Sequence, residues 1–432
     1  MKIFIKHMNQ EFDLTDEQTR LVDKAVDQIT HGSMLFQYAA PAGCGKSIVL
    51  HAIIQELGLL NDEVAPMAYM GSAAMVMRKH GFTNAKTCHA WLFAPVTSPV
   101  PGEYDEHFRQ VYETKWEPKQ LPYDIKLIAI DEGSMIPQSI RNVIDAQDIP
   151  VIVCGDLDQL PPVGDYSAYL VNGEINRLTK IMRQRANSSI VTISNMLREG
   201  YRPQPGNYGE VLVIPFEEVT NDMLVNSESI ICGYNSTRSD LTDYMRKLLG
   251  YSGNLPYPGE KVVCRENNWK VFAGEDINLV NGMIGTCESQ GNSVNQMKNS
   301  KTFKMDFRPL LFPDAVFTDL KCDYNYFVAN HEQRQEIKRM ERFKQKRYDK
   351  ANKFEFGYVI TTHMSQGNQY RNGMYIEQKF PTDQNKLNYT GITRFIDHCV
   401  YVLPRKRKLT FPPPGRVIQR KKPVMIINDQ YL

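Results

Sequence analysis

The chain has 432 residues, 42% of them apolar, and a formal charge of +2. That length exceeds one ordinary domain and supplies apolar material for more than one core, so two to four domains are expected. The near-zero charge excludes any argument for nucleic acid from bulk electrostatics, though a local basic groove remains open. The eight cysteines are scattered and form no C-x-x-C pair. They read as reduced thiols of an intracellular protein, not as a zinc ribbon. The N-terminal MKIFIKHMNQ is too polar for a secretory leader. No segment reaches the roughly 18 apolar residues of a membrane span. A soluble, cytoplasmic protein is expected, in a host cytoplasm if the source is viral.

From Leu14 to about Val163, short apolar runs alternate with helical stretches. Met34 to Ala39, Val64 to Met70, Leu127 to Ile130 and Val151 to Cys154 read as buried parallel strands, because they are apolar throughout and do not alternate. Lys46 to Leu57 has helical periodicity and stops at Gly58. The alternation predicts a doubly wound α/β domain. Phe93 to Tyr123, rich in proline, charge and aromatics, interrupts it as an insertion. Strand character returns at Ser229 to Tyr234. A second interruption, Ser252 to Lys353, holds β-like pieces (Lys261 to Cys264, Gly285 to Glu288) and a basic helical run, Glu332 to Lys353, whose plain reading is a solvated helix. Phe356 to Thr362, Met374 to Ile376 and His398 to Leu403 look like core strands. The basic, proline-containing tail after Leu403 reads as a strap or flexible arm.

Pro41-Ala42-Gly43-Cys44-Gly45-Lys46-Ser47 follows a predicted strand and opens a predicted helix, the context a phosphate-binding loop needs. Glycines let backbone N–H groups wrap phosphate oxygens, and the helix N-terminus adds partial positive charge. Lys46 is placed to reach the β- and γ-phosphates and Ser47 to ligate Mg²⁺. The first glycine of the usual pattern is Ala40 here. Leu127 to Glu132 is an apolar strand ending in two acids. Asp131 is assigned to Mg²⁺ and Glu132 to the attacking water. Gly155 to Val163 follows a third strand, with Gln159 as a γ-phosphate sensor.

This ordered series resembles superfamily 1 DNA helicases, in the group that includes RecD and the phage Dda helicase. The resemblance spans nearly the whole chain. It implies that Leu14-Thr15-Asp16-Glu17-Gln18 is a Q motif, with Gln18 reading adenine. Leu178 to Gln184 is similar to the motif that brings an arginine, Arg183, to the γ-phosphate. Thr361 to Gly367 looks like motif V, and Tyr389-Thr390-Gly391-Ile392-Thr393-Arg394 like motif VI, with Arg394 as an arginine finger. DNA contacts are expected at Gly71, Ser72, His89, Asn235, Thr361, His363 and Gln366. At Gly71 and Ser72 the sequence departs from the family's usual pattern. For His89 a core histidine competes as a reading, and Asn281-Gly282 is either the opening of an accessory β domain or a plain hairpin turn.

The implied fold is α/β: two RecA-like doubly wound parallel-sheet cores with inserted subdomains, the second a small SH3-like β-barrel. The expected division is a first core at 1–186 with a wedge insertion at 93–123, a second core at 187–251 and 354–432, and an accessory β-rich part with the basic helix at 252–353. The implied function is an ATP- and Mg²⁺-dependent motor that moves 5′ to 3′ on single-stranded DNA and unwinds forked or tailed duplexes. It would act as a monomer, away from membranes, with replication or recombination proteins as candidate partners. Tyr104, Phe108 and Trp116 of the insertion are candidates to stack on a base at the fork. Two alternatives stay open: a translocase with little unwinding of its own, and a non-catalytic nucleic-acid-binding scaffold.

Overall fold

The computed structural model describes residues 1–5, 9–104, 110–162, 165–171, 173–180, 188–274, 277–290, 295–297, 300–342 and 351–404. Its first sheet has six strands in the order Asn176–Arg177, Leu35–Ala39, Val151–Gly155, Leu127–Asp131, Val64–Ala68, Lys86–Thr87. Every pairing is parallel. Val64–Ala68 and Val151–Gly155 are buried at every position, as continuous apolar runs require of strands covered on both faces. Each fully buried Val, Ile or Leu contributes about 1.5–3 kcal/mol. The strand bounds lie one residue from the sequence reading, except that Val64–Ala68 stops two residues short, before Tyr69 and Met70.

Between two core strands, Phe93–Tyr104 pairs antiparallel with Gln110–Pro118. Trp116 is exposed on it. Phe108 and the side chain of Tyr104 lie outside the described residues. The N-terminal hairpin, Lys2–Ile5 with Gln10–Asp13, has no counterpart in the sequence reading. Its Ile3 and Ile5 join the core of the first sheet, beside Leu50, Ile53 and Ile54 of the Lys46–Glu56 helix.

The second sheet runs Gly206–Asn207, Val211–Pro215, Phe395–Leu403, Tyr370–Ile376, Ser229–Cys232, Val359–Thr361. It is parallel apart from the short edge strand Gly206–Asn207. A third sheet is antiparallel: Asn295–Met297, Ser300–Pro309, Ile284–Gln290, Lys261–Cys264, Phe354–Phe356, with Phe317–Asp323 also on Ser300–Pro309. The SH3-like barrel expected here is not seen as such: this sheet has no ring closure among the described residues. Phe303, Phe307, Phe317, Phe327 and Phe354 fill its core, and Met75 from the Gly71–Lys79 helix of the first core packs into the same cluster.

Three sequence expectations change. Phe356 to Thr362 is not one strand: Phe354–Phe356 pairs with Lys261–Cys264 in the third sheet, and Val359–Thr361 joins the second. Gly357 separates them, where a Cβ would stand 2.9 Å from the Val262 carbonyl carbon. The basic run is helical over His331–Arg342, but Asn352 is an extended bridge to Cys322, so helix does not reach Lys353. Asn281-Gly282 joins no hairpin, because Ile277–Leu279 pairs with Asn268–Ala273 and Ile284–Gln290 pairs elsewhere. The tail 405–432 lies outside the described residues. Among the described residues no helix is long and apolar enough to cross a membrane.

Candidate active site

The phosphate loop runs from strand Leu35–Ala39 to helix Lys46–Glu56. Gly43 and Gly45 have φ of +87° and +78°, values a side chain disfavours. At Gly45 a Cβ would also lie 2.7 Å from the Gln18 amide nitrogen. No side chain caps this helix, which leaves its first-turn N–H groups for an anion. Ala40, where the usual pattern has glycine, is buried and donates its N–H to the Gly155 carbonyl at 2.9 Å. It extends the sheet and so tolerates its methyl group. Tyr38 OH donates to the Lys46 carbonyl at 2.9 Å, pinning the helix start.

A cavity of about 420 Å³ opens over this loop, lined by Lys46, Ser47, Asp131, Glu132, Gln159 and Arg394 among others. The sheet order explains the meeting. Leu35–Ala39, Val151–Gly155 and Leu127–Asp131 are adjacent and parallel, so their C-terminal ends deliver the loop, Gln159 and the acid pair to one edge. Asp131 accepts from the Glu132 N–H at 2.8 Å and from the Cys154 thiol at 3.3 Å. Glu132 sits in the left-handed region at φ +54°, and its buried Oε2 has no hydrogen-bond partner among the described residues. Burial raises the Glu132 carboxyl above its ordinary range, aided by Asp131 and opposed by Lys46 and Arg394. A raised base lies nearer working pH and takes a proton more readily. Burial acts to lower the Lys46 ammonium, yet Glu132, Asp156 and Asp131 outweigh it and the group is raised, hence charged. Lys46 Nζ now donates to the Ala40 carbonyl at 3.2 Å.

Ser47 and Asp131 supply hard oxygen donors on one wall of the cavity. Among the described residues no three His, Cys, Asp or Glu side chains form a metal cluster. Mg²⁺ commonly binds through one or two protein oxygens plus phosphates and water, so this donor set fits it.

The second sheet closes the cavity. Arg394 follows the Gln384–Ile392 helix, is 4% exposed, and is held by Nε donating to the Thr390 carbonyl at 3.1 Å. Three hydrogen bonds tie the Gly155 to Pro162 segment to this side: Tyr389 OH to Asp156 at 2.8 Å, Leu160 N–H to Thr390 Oγ1 at 3.1 Å, and Gln366 Nε2 to the Leu160 carbonyl at 3.1 Å. Arg183 and Val163 lie outside the described residues.

Gln18 is 4% exposed, and both ends of its amide are engaged. Oε1 accepts from Thr15 N–H at 3.0 Å in a capping box, and Nε2 donates to the Cys44 carbonyl at 3.0 Å. Here it braces the phosphate loop. Gln10, Phe12 and Asp13 of the N-terminal hairpin line the cavity near it and were absent from the sequence reading. The alternation of Lys2–Ile5, out-in-out-in, was the available signal. Cys44 is fully buried beneath the loop, its thiol pushed up to about 11 by burial.

The residues expected at DNA fall into two sets. His89 stacks on Phe93 with ring centroids 5.3 Å apart, next to Tyr69 at 6.1 Å. His363 lies 6.2 Å from Phe380, which lies 5.3 Å from Tyr234, and Asn235 is exposed beside Tyr234. Both clusters stand past the C-terminal ends of core strands. Burial lowers both imidazoles below their usual range. The other residues face inward. Gly71 and Ser72 are buried at the start of the Gly71–Lys79 helix, and Ser72 Oγ donates to the Gln366 carbonyl at 3.3 Å. Thr361 caps the helix Thr362–Ser365, accepting from Met364 N–H at 3.4 Å. Gln366 is 1% exposed and turned to the first core.

Comparison with known proteins adds four findings. A family described as an AAA domain matches residues 13–210. The ATP-dependent DNA helicase RRM3 of Saccharomyces cerevisiae is 28% identical over 214 residues, covering 43% of this chain and 28% of that protein. The chain therefore spans little more than a quarter of this curated relative's length. The Pif1 helicase from Candida albicans superposes with a TM-score of 0.53 at 18% identity, over 90% of this chain and 94% of that one. A Pif1 helicase from Bacteroides in complex with ADP-AlF3 and ssDNA gives 0.50 at 17% identity, over 92% and 94%. Two parallel-sheet cores joined by an antiparallel insert are the fold that this chain shares with these solved helicases.

Proposed function

We propose that the protein is an ATP-dependent DNA helicase, tracking 5′ to 3′ along single-stranded DNA and unwinding tailed or forked duplexes. The observation that carries this reading is the single cavity in which Lys46, Asp131, Glu132 and Gln159 of one sheet face Arg394 of another. A site split between two cores converts hydrolysis into relative motion. Lys46 holds the β- and γ-phosphates, and Glu132 accepts a proton from the attacking water. Gln159 orients that water or the γ-phosphate, and Arg394 meets the charge that develops on the transferring group. Mg²⁺ held by Ser47, Asp131 and the phosphates supplies charge neutralisation when bound. Arg183 is assigned a second positive charge at the γ-phosphate.

Single-stranded DNA crosses the two aromatic–imidazole clusters, one on each core, with bases stacking on the rings. The hairpin Phe93–Pro118 beside His89 separates the strands, with Trp116 exposed for contact at the fork. A structure of two coordinating Pif1 helicases that unwind forked dsDNA shares this fold, with a TM-score of 0.52 over 90% of this chain, which supports the same substrate class here. All eight cysteines are free and buried, in keeping with a reducing, cytoplasmic setting. The chain acts as a monomer.

The test is strand displacement on matched duplexes carrying either a 5′ or a 3′ single-stranded tail. Unwinding of the 5′-tailed duplex alone, abolished by Lys46→Ala, is expected. ATP hydrolysis stimulated by single strands without displacement of either duplex would instead establish a bare translocase. No hydrolysis by the wild-type chain would leave a binding scaffold.

A further inference from the structure

Gln159 is 2% exposed and lines the cavity, with its Oε1 buried and unpartnered among the described residues. Its Nε2 has one weak anchor, Asp156 Oδ2 at 3.4 Å. The orientation of this sensor therefore depends on Asp156. Asp156 is itself 1% exposed, and its Oδ1 is occupied by the Asp158 N–H at 3.0 Å. Its remaining strong bond comes from the other core: Tyr389 OH donates to Oδ2 at 2.8 Å. The same Tyr389 oxygen accepts the Ala42 N–H of the phosphate loop at 3.4 Å. One phenol thus touches both the loop that cradles phosphate and the carboxylate that holds the sensor.

We propose that Tyr389 is a positioning residue that reports closure of the cleft to Gln159, so that hydrolysis proceeds only when the second core is seated. Opening the cleft withdraws the phenol together with Arg394, five residues further along the same segment. Among the described residues, Asp156 then keeps partners from its own turn alone, and Gln159 loses its fixed direction. This deepens the hydrolysis reading above and rests on it. Arg394 supplies charge to the reacting group, whereas Tyr389 supplies alignment to a residue of the opposite core.

The experiment uses the full chain with Tyr389→Phe, which keeps the buried ring and deletes the hydroxyl, alone and combined with Gln159→Ala. The rate of ATP hydrolysis stimulated by oligo-dT, the affinity for a fluorescent ADP derivative, and the affinity for oligo-dT are measured. Tyr389→Phe is expected to lower kcat about tenfold, the scale of one lost hydrogen bond to a carboxylate. Both affinities are expected within about twofold of wild type. In the Gln159→Ala background it adds nothing, because the two act as one unit. Asp156→Asn gives the same pattern and stands in should Tyr389→Phe fail to fold. Effects that multiply in full, an unchanged kcat, or equal losses in ADP affinity and rate overturn the proposal while leaving the hydrolysis reading intact. A wild-type chain without hydrolysis overturns both.

Discussion

Gln18 shows how one residue can carry structural bonds beside the role its motif suggests. Its position after Leu14-Thr15 marks a Q motif in sequence, and the resemblance assigns it to the base. In the structure its amide is committed to Thr15 and to the Cys44 carbonyl, both part of how the loop is held. Gln18→Ala removes a capping box, worth about 1 kcal/mol. It also releases the Cys44 carbonyl. The expected outcome is a KM for ATP raised roughly tenfold with a melting temperature only about 2–4 °C lower, the shift that cost implies for a large protein. A steady-state titration with a thermal melt checks it; an unchanged KM would free Gln18 from the loop. Lys46, Asp131, Glu132 and Arg394 were legible because each sits at a fixed offset from an apolar strand or in a recognisable string. Tyr389 was quoted in its string yet given no role, since nothing local marks a tyrosine whose partners lie 233 and 347 residues away.

At the scale of elements, the insertion shows what pattern reading can mark. Proline, charge and aromatics between two core strands marked it, and it folds as a hairpin that leaves the sheet register untouched: Val64–Ala68 and Leu127–Asp131 pair directly across it. Replacing 95–116 by a short Gly-Ser turn should therefore preserve the core. Hydrolysis stimulated by oligo-dT is expected within about threefold of wild type, while strand displacement falls at least tenfold, as removal of a positioned separating element allows. Displacement that survives would place the wedge elsewhere. The N-terminal hairpin went unread because Lys2–Ile5 is only four residues long, too short for its alternation to stand out. Phe354–Phe356 was misread for a related reason: an apolar run continues into Val359–Thr361, and only Gly357, pressed against Val262, reveals that the run serves two sheets.

Across the whole molecule, the second core, the antiparallel sheet and its helices meet at one buried carboxylate. Glu355 takes ion pairs from Arg238 of the Asn235–Leu248 helix, from Arg265 at 3.0 Å and from Arg334 of the His331–Arg342 helix at 3.2 Å. Burial alone would raise its carboxyl. Arg265, Arg238 and Arg334 reverse this and hold it at about 2. A carboxyl depressed on folding stabilises the native state above its ordinary value of 4.5 and loses that contribution as pH falls toward 2. Glu355→Gln is expected to cost about 3–5 kcal/mol at neutral pH, because it strands buried guanidinium groups. The deficit should shrink as pH drops from 4.5 toward 2, measured by urea unfolding across that window. A pH-independent deficit would show that packing, not charge, is lost.

The amino-acid sequence alone determined the parts with local grammar: buried parallel strands, a glycine-bearing loop opening a helix, acids at a strand end, and the order of motifs along the chain. Tertiary structure decided everything that depends on two distant segments meeting. It set Arg394 against Glu132 and turned Gln366 and Ser72 inward to each other. It gave Gln18 to the phosphate loop, and it seated Tyr389 between Ala42 and Asp156. The physical reason is that hydrogen bonds and ion pairs act over a few ångströms in space. Sequence periodicity reports which face of an element is buried, not which other element buries it.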